Sequence, residues 1–181
     1  ALQARLAPHF LHGALSTLKG QILEDPLEAQ AMVDQLARLS REAMALTAER
    51  HVPLSRELAF VEAYLGVERA RLGERLRVVI QVPEVLETEL VPPMALQLLV
   101  ENALRHGLPV EGGEIHIQAE RNRMGFYLTV EDPGQGAGES IGLGQSLGIL
   151  RRRLLDDSDL VLQRTPEGRH RASLRVSSSW E

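Results

Sequence analysis

The sequence predicts an α+β protein, with helices first and then one sheet carrying helices on one face. Three observations predict it. As far as residue 72, aliphatic residues recur at helical spacing. From Leu76 onward they gather in β-branched or alternating runs. Proline and glycine punctuate the joints between these segments. The 181 residues are 44% hydrophobic but only 3% aromatic, so the core must be built from Leu, Val, Ile and Ala. That length accommodates one ordinary domain, or a small domain with a helical appendage.

In chain order, Leu11, Leu15, Leu18 and Ile22 form the stripe of a first helix. Glu24-Asp25-Pro26 interrupts it, with Asp25 placed to cap a second helix and Pro26 at its first position. The second stripe, Met32, Leu36, Leu39, Ala43 and Leu46, has heptad-like spacing. A short joint predicts an antiparallel hairpin. Each of its helices has one narrow apolar face, so a second copy completing a four-helix bundle is expected. His51-Val52-Pro53 breaks the pattern, and a third helix carries Leu54, Leu58, Val61, Leu65 and Leu72 to Gly73. The expected division is therefore a helical region, 1–52, and a second domain, 53–181.

Leu76 to Val82 reads as a strand stopped by Pro83. Val91-Pro92-Pro93 leads into a helix from about Met94 to His106, closed by Gly107 as a C-terminal cap. Glu114–Arg121 and Gly125–Asp132 alternate apolar and polar about a turn at Asn122-Arg123-Met124, predicting a β-hairpin. A glycine-rich run, Gly134 to Gly148, precedes a short basic helix through Arg153-Leu154. Two last strands, near Leu160–Arg164 and His170–Val176, flank a turn at Pro166-Glu167-Gly168.

The formal charge of −5 argues against general nucleic-acid binding, which needs clustered Lys and Arg. Without cysteine, disulfides and thiolate zinc sites are excluded, in keeping with a reducing compartment. No apolar run is long enough to span a bilayer and no signal peptide is evident, so a cytoplasmic location is expected. The abrupt opening inside a helix suggests a piece of something longer, with any sensor or membrane part lying elsewhere.

Four places carry candidate chemistry. On a helix, Leu96, Leu99, Val100 and Ala103 share one side. Asn102 and His106 stand one turn apart on another, with Glu101 beside them. An amide oxygen such as that of Asn102 is a hard ligand suited to magnesium already bound to phosphates. Asp132, at a strand end before Pro133-Gly134-Gln135-Gly136, can accept a hydrogen bond from an exocyclic amine such as adenine N6. Gly142, Gly144 and Gly148 precede a helix N-terminus, where exposed N–H groups can cradle phosphate. His9 falls nearly opposite the first leucine stripe, so it should be exposed, and an exposed neutral imidazole is a competent nucleophile. Taken singly, each has an ordinary explanation: a solvated helix face, turn chemistry, a linker and a surface histidine.

Their order is more specific. Pro8-His9-Phe10-Leu11-His12-Gly13 resembles the P-H-F-L-F-N phosphoacceptor box of LytS/YehU-type sensor histidine kinases. Leu54, Glu57, Leu58, Tyr64, Leu65, Glu68, Arg71 and Gly73 match the family's L-x-x-E-L…Y-L…E…R-x-G segment. Val91 to Gly107 matches V-P-P-x-x-L-Q-x-L-V-E-N-A-x-x-H-G. The resemblance covers nearly the whole chain and implies an ATP-binding domain of the GHKL (Bergerat) fold, an α/β sandwich, behind the dimerising hairpin. It implies ATP and Mg²⁺ as cofactors, with Asn102 holding the metal against the phosphates. His106 would belong to the nucleotide site, Asp132 would read adenine, and Gly134 and Gly136 would line the base pocket. Gly144, Ser146 and Gly148 would form the lid hinge. Glu101 would be polar support near the γ-phosphate or a base, and His9 the phosphoacceptor. A homodimer, a response-regulator partner and a membrane-anchored sensor are implied as well.

The chain departs from that pattern at five places. Pro133 stands for the Asn of D-N-G-x-G, Ser146 for the third glycine of the second glycine box, Ile149 for its Asn, and His12 and Gly13 for the second Phe and the Asn of the acceptor box. These departures define the competing reading, a kinase-like dimerisation module with weak or absent ATP turnover.

Overall fold

The structure, a computed structural model, describes residues 6–134 and 160–177. The run from 135 to 159, which holds most of the glycine-rich segment and the expected basic helix, lies outside the described residues.

Two helices open the fold, α1 (Pro8–Glu24) and α2 (Pro26–Ala48), each with proline in its first turn. There the missing N–H costs nothing. Asp25 caps α2 by accepting from the Glu28 N–H at 3.0 Å. On α2 the buried residues are Ala29, Met32, Leu39, Ala43 and Leu46, and Leu36 packs at their edge, as the spacing predicts. On α1 the outcome differs. Phe10 and Ala14 face inward, whereas Leu11, Leu15 and Ile22 remain 39–55% exposed. Phe10 sets this rotation: its ring stacks on Tyr64 with centroids 4.4 Å apart. A buried aromatic ring outweighs a leucine in area.

Helix α3 (Leu54–Leu72) is buried on more than the predicted face, adding Glu57, Phe60, Tyr64, Val67 and Glu68 to Leu54, Leu58, Val61 and Leu65. It is the central helix: α1, α2 and α4 (Ala95–His106) all pack against it. One contiguous hydrophobic core runs from Leu6 through these helices to Val176.

A short ribbon that periodicity did not reveal ties the entries of α3 and α4 together. β1 (Val52–Pro53) pairs antiparallel with β3 (Leu90–Val91). At two residues each, these strands are too short for alternation to register. The main sheet has the order β2-β4-β5-β7-β6, with β2 (Leu76–Gln81), β4 (Gly113–Asn122), β5 (Gly125–Asp132), β6 (Leu160–Arg164) and β7 (His170–Ser177). β2 joins β4 in parallel and the other pairs are antiparallel. Asn122 pairs with Gly125, so the predicted hairpin closes through two residues, Arg123 and Met124.

One face of the sheet is apolar. Ile115, Ile117 and Ala119, then Phe126, Leu128 and Val130, then Ala172, Leu174 and Val176 are all buried under the helices. Gln118, Glu120, Tyr127 and Gln163 stand on the other, open face. That alternation is the signature of a sheet covered on one side. Among the described residues, no helix is long and apolar enough to cross a membrane.

Candidate functional site

The site is built on α4. Leu96, Leu99, Val100 and Ala103 are buried, as predicted, and Gln97, Leu98 and Glu101 are buried too. α4 packs between α3 and the sheet, and Asn102, Leu104, Arg105 and His106 are its less buried residues. Its N-terminus is held from α3. Glu57, fully buried, accepts the Met94 N–H at 2.5 Å and the Leu96 N–H at 3.0 Å. Two of the orphan donors that open every helix are thereby satisfied by one carboxylate. Met94 takes a left-handed φ of 65°, the one described non-glycine residue that does.

Asn102 is half-buried, but its Oδ1 is fully shielded and meets no donor among the described residues. A buried acceptor left without a donor is costly, and such an atom invites a ligand. Beside it, Glu101 is 5% exposed and accepts from Gln97 Nε2 at 3.3 Å. His106 is exposed at the end of the helix. Burial first, then the nearby Arg105 and His9, hold its imidazole below the ordinary range. His9 is exposed on α1, as predicted, and lies within electrostatic reach of the last turn of α4.

Asp132 ends β5 at 5% exposure. Its Oδ1 accepts the Gly134 N–H at 2.9 Å and lies 3.5 Å from His170 Nδ1. Burial pushes this carboxyl above the usual aspartate range. The Gly134 N–H and the charges of His170 and Arg169 oppose that shift. Two glycines fit closely here. Gly134 has φ 74°, and a Cβ on it would stand 2.3 Å from the Gly168 carbonyl oxygen. A Cβ on Gly107 would stand 1.9 Å from Asp132 Cγ. Gly107 does end α4, donating to the Ala103 carbonyl, but at φ −104° it is no left-handed cap. Its glycine is explained by the close approach of Asp132.

Of the ten residues singled out by sequence, the structure brings Glu101, Asn102 and His106 together on α4, with His9 near its end and Asp132 against its C-terminal glycine. Gly134 adjoins Asp132. Gly136, Gly144, Ser146 and Gly148 lie outside the described residues. Among the described residues no group of three or more His, Asp or Glu is placed to hold a metal.

The histidine-kinase family model matches residues 1–76. The chain is 35% identical over 97% of its length to the sensor histidine kinase BtsS of Escherichia coli K12, of which it covers 32%. It is 38% identical over 77% of its length to the sensor protein LytS of Bacillus cereus, of which it covers 24%. The chain belongs to the LytS-type sensor histidine kinases, as their catalytic region. It spans no more than about a third of the length of these relatives. The fold also matches the histidine kinase AdeS of Acinetobacter baumannii, with a TM-score of 0.55 over 96% of this chain and all of that one, at 15% identity. The α+β architecture is thus the GHKL ATP-binding fold of two-component histidine kinases.

Within this kinase region, the Pro133 departure has a packing role. Pro133 Cγ would lie 2.5 Å from a Cβ on Gly113, so the ring fills a notch at the start of β4. Sequence reasoning named the polar residues of α3 as matches to the family's segment but gave them no role in the site. Glu57, Tyr64 and Glu68 are buried, and Arg71 pairs with Glu68. The available signal was carboxylates at helical spacing from the apolar stripe of α3, since buried acids need specific partners.

Proposed function

We propose that this region is an ATP-dependent protein-histidine kinase that phosphorylates itself on His9 and passes the phosphoryl group to a response-regulator aspartate. The observation that carries the reading is the shielded Asn102 Oδ1, with no donor among the described residues, on the same helix whose end approaches His9.

Asn102 would hold Mg²⁺, which supplies charge neutralisation on the nucleotide phosphates. Asp132, fixed by the Gly134 N–H, would accept from the adenine amine, with Gly134 and Gly136 lining the base. Gly144, Ser146 and Gly148 would hinge the lid. Glu101, steadied by Gln97, would support the polar end of the site or take a proton from His9. His106 would flank the phosphates as a neutral imidazole. The neutral His9 imidazole would attack the γ-phosphorus; a P–N bond forms as the bond to the leaving ADP oxygen breaks. Such transfer depends mainly on positioning and charge neutralisation.

On this reading residues 1–52 form the dimerising phosphotransfer region and 53–181 the ATP-binding domain. The outward Leu11, Leu15 and Ile22 stripe supplies the bundle face for a second copy. The working location is the cytoplasm, with any membrane anchor belonging to a sensor region outside these residues. The test is incubation with γ-labelled Mg-ATP beside His9→Gln. Acid-labile label on the wild type alone, with ATP binding retained in the variant, is the expected result. Label on both would remove His9 from its role. Unchanged turnover in Asn102→Asp would remove Asn102.

A further inference from the structure

Helix α1 meets α3 through an unusual contact one turn beyond His9. Gly13 is partly buried, and a Cβ built on it would lie 2.9 Å from Arg71 Cδ and 3.2 Å from Arg71 Nε. The arginine side chain therefore lies in a notch that exists because residue 13 has no side chain. Arg71 is held there from behind: its Nε and Nη2 donate to Glu68 Oε2 at 3.0 and 2.5 Å. Glu68 is itself only 2% exposed, so the pair is anchored on its acidic side while the guanidinium side remains 36% exposed. Such an arrangement, a buried carboxylate aiming a guanidinium, fixes the long side chain in one geometry.

The same face of α3 carries Tyr64, one turn before Glu68, and Phe10 stacks on it. Helix α1 thus has two contacts with one stripe of α3. Phe10 on Tyr64 is an apolar contact between flat rings that turns this face of α1 inward yet leaves its fine roll free. Gly13 on Arg71 is a steric notch that does not. Residues 9 and 13 are neighbours on the helix surface, so the notch lies on the edge of α1 that carries His9. What fixes the roll of α1 at that edge also fixes where His9 stands relative to α4.

We propose that Arg71, seated by Glu68 in the notch of Gly13, is a positioning residue that sets the roll of α1 and hence the placement of His9 for phosphoryl transfer. The inference rests on the kinase reading above. It also accounts for the departure of the acceptor box at Gly13: the space a side chain would take is filled from α3.

The test separates position from packing. Gly13→Ala raises helix propensity, and its methyl meets the far part of a flexible side chain, so the fold survives and Arg71 is displaced. Gly13→Ala should keep its melting temperature and its ATP affinity. At saturating Mg-ATP its labelling rate should fall by about tenfold or more, since ångström-scale misplacement costs rates of that order. Labelling of His9 by phosphoramidate, which bypasses the ATP site, should be unchanged. Arg71→Ala in the Gly13→Ala background should cost little more, because the contact is already lost. A Gly13→Ala rate within twofold of wild type overturns the inference and leaves the kinase reading standing. So does an equal fall in phosphoramidate labelling, which would mark a local defect at His9. No ATP-dependent label on the wild type overturns both.

Discussion

Gly107→Ala tests whether Gly107 ends α4 for its backbone or for its missing side chain. At φ −104° any residue is conformationally acceptable there, so a capping role predicts little change. The close approach predicts otherwise. The new methyl would lie 1.9, 2.1 and 2.3 Å from Cγ, Oδ1 and Oδ2 of Asp132, where an ordinary contact is 3.4–4 Å. Either the carboxylate swings away, breaking its 2.9 Å bond from Gly134, or the end of α4 lifts off the sheet. Overpacking of this kind costs about 1–3 kcal/mol of stability. Losing the proposed acceptor for the adenine amine would cost a further ~1–3 kcal/mol of binding, or roughly 5- to 150-fold in affinity. Urea unfolding gives the first figure and titration with ATP and GTP the second. Gly107→Ala should bind ATP no better than Asp132→Ala, and with less preference over GTP. ATP affinity within twofold of wild type at unchanged stability would refute the close-approach account.

Glu57→Ala removes both acceptors at the N-terminus of α4, and chemical denaturation should show a loss of about 3–5 kcal/mol, as for a buried charged hydrogen-bonding group; a loss below ~1 kcal/mol would mean that water replaces it. Tyr64→Phe removes a buried hydroxyl that has no hydrogen-bond partner among the described residues and whose pKa burial raises well above its ordinary value. Its melting temperature should stay level or rise, and a clear fall would reveal a partner for that oxygen. Asp132→Asn removes a carboxyl whose folded pKa is raised by burial, so its neutral form suits the fold below the unfolded pKa and its ionisation costs stability as pH rises from the unfolded pKa through the folded one. The variant should therefore gain stability over wild type at pH 7 and lose that advantage towards pH 3, while its ATP affinity falls; a gain that persists to pH 3 would refute the assignment.

The elements were legible where periodicity ran long: α2, α3, α4 and the β4–β5 hairpin follow from spacing and from the turn residues around Arg123. The rotation of α1 was not, because four aliphatic residues outvote one phenylalanine in a helical count, whereas in space Phe10 finds Tyr64 some fifty residues away. For the site, Asn102, Asp132 and His9 could be named from local pattern and family resemblance. The reasons for Gly107, Gly113 and Gly13 could not, since each is fixed by a side chain distant in sequence: Asp132, Pro133 and Arg71. A glycine required by its own backbone leaves a local trace, and a glycine required by a neighbour leaves none.

The parallel pairing of β2 with β4 bears on how the chain acquires its shape. The β4–β5 hairpin closes through two residues and can form on the microsecond scale. Leu76, by contrast, must find Gly113 across the loop that contains α4. That closure loses chain entropy before any ladder bond is made. β2 is therefore expected to join last, after α4 has docked under the control of Glu57. Until then one edge of β4 stands open to strands from other molecules. Slow refolding with concentration-dependent aggregation would follow from this single topological choice, and weakening Glu57 would lengthen the exposed interval.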